Sequence, residues 1–503
     1  MSQANRTSST TLSSVDLLFP SQSAEQRASG PAALASNVEL GSDPSARRGA
    51  VQDLLQEWMM ADRDKEDSDL FIVAPEKMDA TYLLEDRPTG LSLEPPQELN
   101  MDDMPAQPTT KRKTSQKQLE RSKRKLNLKI ANGLSNRVKV IGTRIVVGAL
   151  PITSTGWAGV DMNRRTQLEW LQQAWEKRTI AHIMLNELRF AKISYEKATP
   201  VFLVDEQGTA YAYRSSIFDW MFRVENGTTF MDRLISQNEE YIWKRCGDRD
   251  TLAIKANLRG CHWYNVIGVD RQNKPAPALT QFHRNFYEET EWLLQRGGPT
   301  DILIRLASSI FEQRFPSLVK RVRHCAECLK LMDEPFARYA EPMFGYWYNY
   351  CINGARVGAG VDGVMTRPHV DGKNLALMMC VVFVYGNFNY KEKAWLVLWE
   401  ANVIIELPPG VFLFYPSSLF THFNVDICDA QFYTTKGGEY PTRENTSPLN
   451  GVPGRGSIVF FNQATMFQLA EKGMTVAQGR AAGKDMTCDN NPFIADLPVP
   501  PAM

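Results

Sequence analysis

Residues 367–374 read RPHVDGKN, and residues 419–424 read LFTHFN. His369 and Asp371 are two positions apart, so an extended strand projects both side chains to one face. A single strand thereby offers two neighbouring ligands to a small metal ion. His422 follows several strand-like segments and returns to the same point if those segments wind into a barrel-like core. Two imidazoles and one carboxylate on one face of an ion leave the opposite positions open, a donor set suited to non-haem Fe(II).

The sequence between the ligands is built of strand signals. Leu375 to Val384 (LALMMCVVFV) is a continuous apolar run of the kind a fully buried strand gives, and residues 386–389 break it at a turn. Trp395 to Trp399 (WLVLW) and Val403 to Leu407 (VIIEL) are again apolar, and Pro408-Pro409-Gly410 ends the second. Val411 to Tyr415 (VFLFY) then leads to His422. Short strands at close, even spacing, punctuated by Gly, Pro and Asn, predict an all-β sandwich, jelly roll or barrel.

Residues 346–470 resemble the catalytic core of Fe(II)/2-oxoglutarate-dependent dioxygenases, and more narrowly the TET/JBP-like nucleic-acid-modifying branch as it occurs in fungi. The motifs are Gly354-Ala355-Arg356-Val357, HVDGKN as HxDxxN, Leu396-x-Leu398-x-Glu400, Leu407-Pro408-Pro409-Gly410, and His422-Phe423-Asn424. The resemblance implies an α+β fold around a double-stranded β-helix, with His369, Asp371 and His422 binding Fe(II) as the catalytic set. It implies Asn374 facing the substrate base, with Arg367 as a further substrate-side candidate. It also implies an arginine after the second histidine that pairs with 2-oxoglutarate: Arg455 first, Arg443 second, because the insert between His422 and Arg455 is long and turn-rich. The implied reaction consumes O2 and 2-oxoglutarate and hydroxylates a C–H bond, foremost the methyl of 5-methylcytosine or a related pyrimidine. The chain departs from the family at Lys393-Ala394-Trp395, where a Gly-Gly pair is common.

Composition sets the outer bounds. The 503 residues leave room for about two to four domains. Eight cysteines without a framework spacing point to a reducing compartment. No stretch resembles a transmembrane span, and the N-terminus lacks the apolar core of a secretory signal. The 57 basic and 57 acidic residues cancel, yet they are segregated along the chain. Residues 1–110 are rich in Ser, Ala, Pro and acids, and such a segment cannot bury enough apolar surface to order itself. Residues 111–137 form a basic linker whose run KRKTSQKQLERSKRKLNLK carries one acid, Glu120. It reads equally as a solvated helix or as a nuclear-import and phosphate-binding tether. The expectation is a nuclear protein with nucleic acid as partner, DNA ahead of RNA, and no membrane.

The folded body is expected from 138, as an α+β region over 138–340 packed on a core at 341–480, with a C-terminal tail at 481–503. Residues 164–193 read as a helix, 201–204 and 209–213 as a hairpin around Asp205 to Gly208, and 301–322 as a helix or pair broken at Pro316. His324-Cys325-Ala326-Glu327-Cys328 lacks the second ligand pair of a structural zinc site, so two cysteines on a helix face are favoured. Trp263-Tyr264, Trp347-Tyr348 and Tyr350 read as core before base-stacking surface. His182 and His283 fall in helical patterns, and His262 is a candidate cleft residue that the sequence does not decide. Against the leading reading stand a hydroxylase of protein or small molecules and a catalytically silent chromatin-binding module.

Overall fold

The computed structural model describes Arg121 and residues 138–500, except 161–167, 198, 247–256, 258, 261, 273, 356–362, 428–432, 436–439, 441, 443–445 and 449–453. The acidic tail, the basic linker apart from Arg121, Arg356 and Val357 of the lead-in motif, and Arg443 lie outside the described residues.

The architecture is mixed α+β around two sheets. The strands are β1 (Lys139–Gly142), β2 (Ala191–Ile193), β3 (Val201–Val204), β4 (Ala210–Arg214), β5 (Trp263–Asp270), β6 (Ala278–Leu279), β7 (Asn349–Gly354), β8 (Cys380–Tyr385), β9 (Trp395–Leu398), β10 (Val403–Ile405), β11 (Phe412–Tyr415), β12 (His422–Val425), a small ribbon of β13 (Tyr433–Thr435) with β14 (Thr446–Pro448), and β15 (Gly456–Phe461). The large sheet has nine strands in the order β1-β3-β4-β11-β8-β15-β7-β5-β6, and the small one has four in the order β12-β9-β10-β2. From β7 onward the chain shuttles between them: β7 and β8 in the large sheet, β9 and β10 in the small, then β11, β12 and β15 in alternation.

Period-2 alternation builds the layers. Cys380, Val382, Val384, Leu413 and Tyr415 of the large sheet meet Leu396, Leu398, Val403 and Ile405 of the small sheet in one core. The intervening residues Val381, Phe383, Phe412 and Phe414 point the other way, into a core shared with helices. Those helices are α2 (Phe230–Glu239), α3 (Pro299–Arg314), α4 (Pro316–Lys330) and α5 (Ala464–Lys472). On the far side, Trp395, Val397 and Phe423 are covered by Leu171 and Ala174 of α1 (Leu168–Glu176) together with Ile180 and Met184.

Residues 138–340 enter the large sheet itself: β3 and β4 extend it beside β11, and β5 extends it beside β7. The 201–213 hairpin forms as expected, with Asp205 Oδ1 accepting from the Gln207 and Thr209 N–H groups at 3.0 and 2.9 Å. Helix α3 ends at Arg314 and α4 begins at Pro316, as the proline predicts. The long helix expected over 164–193 is instead divided. Arg178 and Arg189 take left-handed φ angles of 57° and 54°, and Ala191–Ile193 becomes strand β2, paired in parallel with β10. The apolar run from Leu375 also divides, because only Cys380–Tyr385 is strand and Met378 N–H bonds back to Leu375 O in a buried turn. Residues 481–500 are fastened to the body, Cys488 N–H donating to Thr155 O and Trp157 Nε1 to Met486 O.

Candidate metal centre

The segment 366–371 runs beside the free edge of β12. Asn424 N–H donates to Thr366 O at 3.0 Å, and His369 and His422 exchange both backbone hydrogen bonds, at 3.1 and 2.9 Å. This pairing sets the two imidazoles side by side, ring centroids 4.2 Å apart. His369 Nδ1 lies 2.6 Å from Arg367 O, and His422 Nδ1 lies 2.9 Å from Phe420 O. A carbonyl only accepts, so each Nδ1 carries the proton and Nε2 is left as the ring atom that can face a metal. Hydrogen bonds from the ring nitrogen that faces away from the metal are what orient metal-binding histidines.

Asp371 completes the group. One donor atom from each of His369, Asp371 and His422 lies within 4.8 Å of the others, with Asp371 Oδ2 3.9 Å from His422 Nε2. Asp371 opens a tight turn in which Asn374 N–H donates to Asp371 O at 2.8 Å. Ser417 holds that turn at both ends: its carbonyl accepts from Asp371 N–H at 3.2 Å and its Oγ from Asn374 Nδ2 at 3.1 Å. Burial opposes ionisation of Asp371, but Arg259 and then the two imidazoles outweigh it and hold the carboxyl at about 2. Burial, His422 and Arg259 together push His369 well below its ordinary value, so the ring is neutral and free to bind a metal.

The donor chemistry fits a non-haem ferrous ion: two imidazoles and an ionised carboxylate converge, and buried Asp371 Oδ1 has no aligned hydrogen-bond partner. Arg259 Nη2 does stand 2.8 Å from that oxygen as an ion pair.

Arg455 lies just ahead of β15 and is buried. Its Nη1 donates to Val364 O at 2.7 Å, its Nε has no partner, and no carboxylate is hydrogen-bonded to it among the described residues. Burial lowers its pKa to about 10, with Asp426, Tyr415 and Tyr385 pulling the other way. Tyr415 links this cation to the ligands, since its ring meets that of His422 edge-on at 5.2 Å. A buried, under-bonded guanidinium beside the ligand set fits a carboxylate-bearing co-substrate. Arg367 is half-buried, 3.8 Å from Glu176, and serves the centre through the carbonyl that holds His369.

Arg259, which no sequence pattern marked, reaches Asp371, and His262, the undecided cleft candidate, is buried with Nδ1 unpartnered. Burial first, then the Arg455 cation, pushes His262 down to about 4. The one local signal was Gly260, whose φ of +144° and close approach to Met365 O leave no room for a Cβ. Elsewhere Trp263, Trp347, Tyr348 and Tyr350 are buried in the helical core, and Tyr264 is exposed. Cys325 is buried against Tyr348, and Cys328 lies 3.5 Å from His324 Nε2. Ala394, at the departure from the Gly-Gly pattern, adopts φ 55°, the left-handed conformation that glycine favours.

Among the described residues no helix is long and apolar enough to cross a membrane. No family model and no curated protein matches the chain. Several solved structures align with it. One is NgTET1 in complex with 5mC DNA, at 14% identity over 59% of this chain and 90% of that one, with a TM-score of 0.32. Another is OsALKBH1, at 11% identity over 50% and 96%, with a TM-score of 0.22. Likenesses this loose leave the functional reading to the residues of the centre.

Proposed function

We propose that this chain is an Fe(II)- and 2-oxoglutarate-dependent dioxygenase that oxidises the methyl group of 5-methylcytosine, or a related methylated pyrimidine, in nucleic acid. The observation that carries the metal reading is the convergence of His369, Asp371 and His422, with both Nδ1 atoms committed to carbonyls. The winding of β7 to β15 between two sheets supports a double-stranded β-helix, with 366–371 as the strand beside β12. Iron bound there would supply oxygen activation, coupled to oxidation of the keto acid.

The chain's own groups do the rest. Arg455 takes the distal carboxylate of 2-oxoglutarate, which satisfies a cation otherwise left with one carbonyl. The carbonyls of Arg367 and Phe420 hold the imidazoles in register without a rearrangement on loading. The motif resemblance supports the nucleic-acid substrate, as do Arg367, Lys373 and exposed Tyr264, residue types able to meet phosphate and base. A base in a duplex has to be extruded to reach this centre, and Asn374 then reads its polar edge.

The test is mass spectrometry of 5-methylcytosine oligonucleotides, DNA and RNA, after incubation with the full chain, iron and 2-oxoglutarate. A gain of one oxygen that His369→Ala abolishes supports the proposal. Succinate release with a peptide or small molecule, and none with oligonucleotides, would replace the substrate half of it.

A further inference from the structure

Arg259 contacts the Asp371 oxygen that is not the one near His422. Its Nη2 is 2.8 Å from Asp371 Oδ1, whereas Oδ2 is the atom near His422 Nε2. Hydrogen bonds at Asn257 and Arg259 place the backbone that carries the guanidinium. Asn257 Oδ1 accepts from Arg259 N–H at 2.9 Å while its Nδ2 donates to His262 O at 3.1 Å. Arg259 O in turn accepts from Arg367 N–H at 2.8 Å, tying the loop to the segment that carries His369. Gly260 packs against Met365 O in the same segment. Asn257 is itself buried.

A carboxylate has two oxygens and can take a metal with one or both. With Arg259 on Oδ1, only Oδ2 is free to turn toward the ion, and the position a second oxygen would fill stays open. From this geometry we infer that Arg259 is a positioning residue that enforces one-oxygen coordination by Asp371. It thereby trades metal affinity for an open edge that an anionic, bidentate co-substrate can occupy. The inference rests on the metal centre proposed above. Its sign is unusual: a cation beside a divalent ion repels it, so removing the cation should tighten metal binding.

Full-length chain and Arg259→Met are titrated with Mn(II) by electron paramagnetic resonance and with Co(II) by visible absorption. The inference expects Arg259→Met to bind both ions more tightly, on the order of tenfold. It also expects an altered Co(II) spectrum and weaker displacement of bound water by 2-oxoglutarate. Arg259→Lys, which keeps the charge, should return affinity toward the parent. Asn257→Ala, which touches neither ligand nor ion, should move affinity the same way by less, and it carries the test if Arg259→Met does not fold. An arginine that merely supports the fold predicts weaker binding in Arg259→Met. That result, or an unchanged affinity and spectrum, overturns the inference. His369→Ala separates the two levels: if it binds metal like the parent, the metal centre itself is wrong. If it loses metal while Arg259→Met shows no gain, only the role of Arg259 is wrong.

Discussion

His369 and His422 are direct partners across two adjacent extended segments, joined by backbone hydrogen bonds of 3.1 and 2.9 Å in both directions. The spacing of the imidazoles is therefore set by main-chain pairing, and the side chains contribute little to holding it. His369→Ala and His422→Ala should each leave the melting temperature of the unloaded chain within a few degrees of the parent. Mn(II) should raise the melting temperature of the parent and leave both variants unmoved, as binding linkage requires. Differential scanning fluorimetry with and without Mn(II) reads both.

Arg455 is a buried cation with one carbonyl partner and an unpaired Nε. Replacing an under-compensated buried charge with an apolar side chain of similar length commonly stabilises a fold by about 1–2 kcal/mol. Arg455→Met should thus resist urea better than the parent while losing the extra stability that 2-oxoglutarate confers. A variant that is destabilised and still responds to 2-oxoglutarate would assign the co-substrate to another cation, Arg443 being the next candidate.

Ser417 supports Asp371 from behind, through its carbonyl on the Asp371 N–H and its hydroxyl on Asn374 Nδ2. Ser417→Ala leaves the Asn374 amide unpaired in a buried place, a loss of about 1–3 kcal/mol. The freed turn should also lower Mn(II) affinity several-fold. Denaturant melts and Mn(II) titration check the two effects separately.

Acid should unfold the protein through its buried neutral histidines. His283 is fully buried, accepts from Gly268 N–H through Nδ1 at 3.1 Å, and is pushed by burial from 6.5 to about 4. His262 is displaced likewise by burial and then by Arg455. The unfolded chain binds both protons below 6.5, whereas the folded chain refuses them until about 4. Stability is therefore lost as pH falls through that window, on the order of a few kcal/mol in all. His283→Asn keeps an acceptor for Gly268 and removes the titration. Its urea midpoint should fall less steeply with pH between 6.5 and 4 than that of the parent.

Much of the centre was legible because its signal is local. An HxD spacing on an extended segment fixes two donors at once, and the apolar bursts at 395–399, 403–407 and 411–415 became strands as read. What escaped reading depends on contacts between distant parts. Arg259 meets Asp371 across more than a hundred residues, and no periodicity encodes such a pair. The helix expected over 164–193 fails at Arg178 and Arg189, whose left-handed angles no residue preference announces. Ala191–Ile193 becomes a strand because β10 offers it a free edge, a tertiary cause overriding local pattern.

The large sheet also bears on how the protein can be dissected. β4 covers the outer edge of β11, and β5 covers that of β7, so material from before residue 341 lies on both flanks of the large-sheet strands β11, β8, β15 and β7. A fragment starting at 341 would bare two rows of unsatisfied amides and carbonyls and invite chain-to-chain stacking. The region from 341 is in this sense not a detachable cassette, and expression trials that trim the N-terminus should stop short of Lys139.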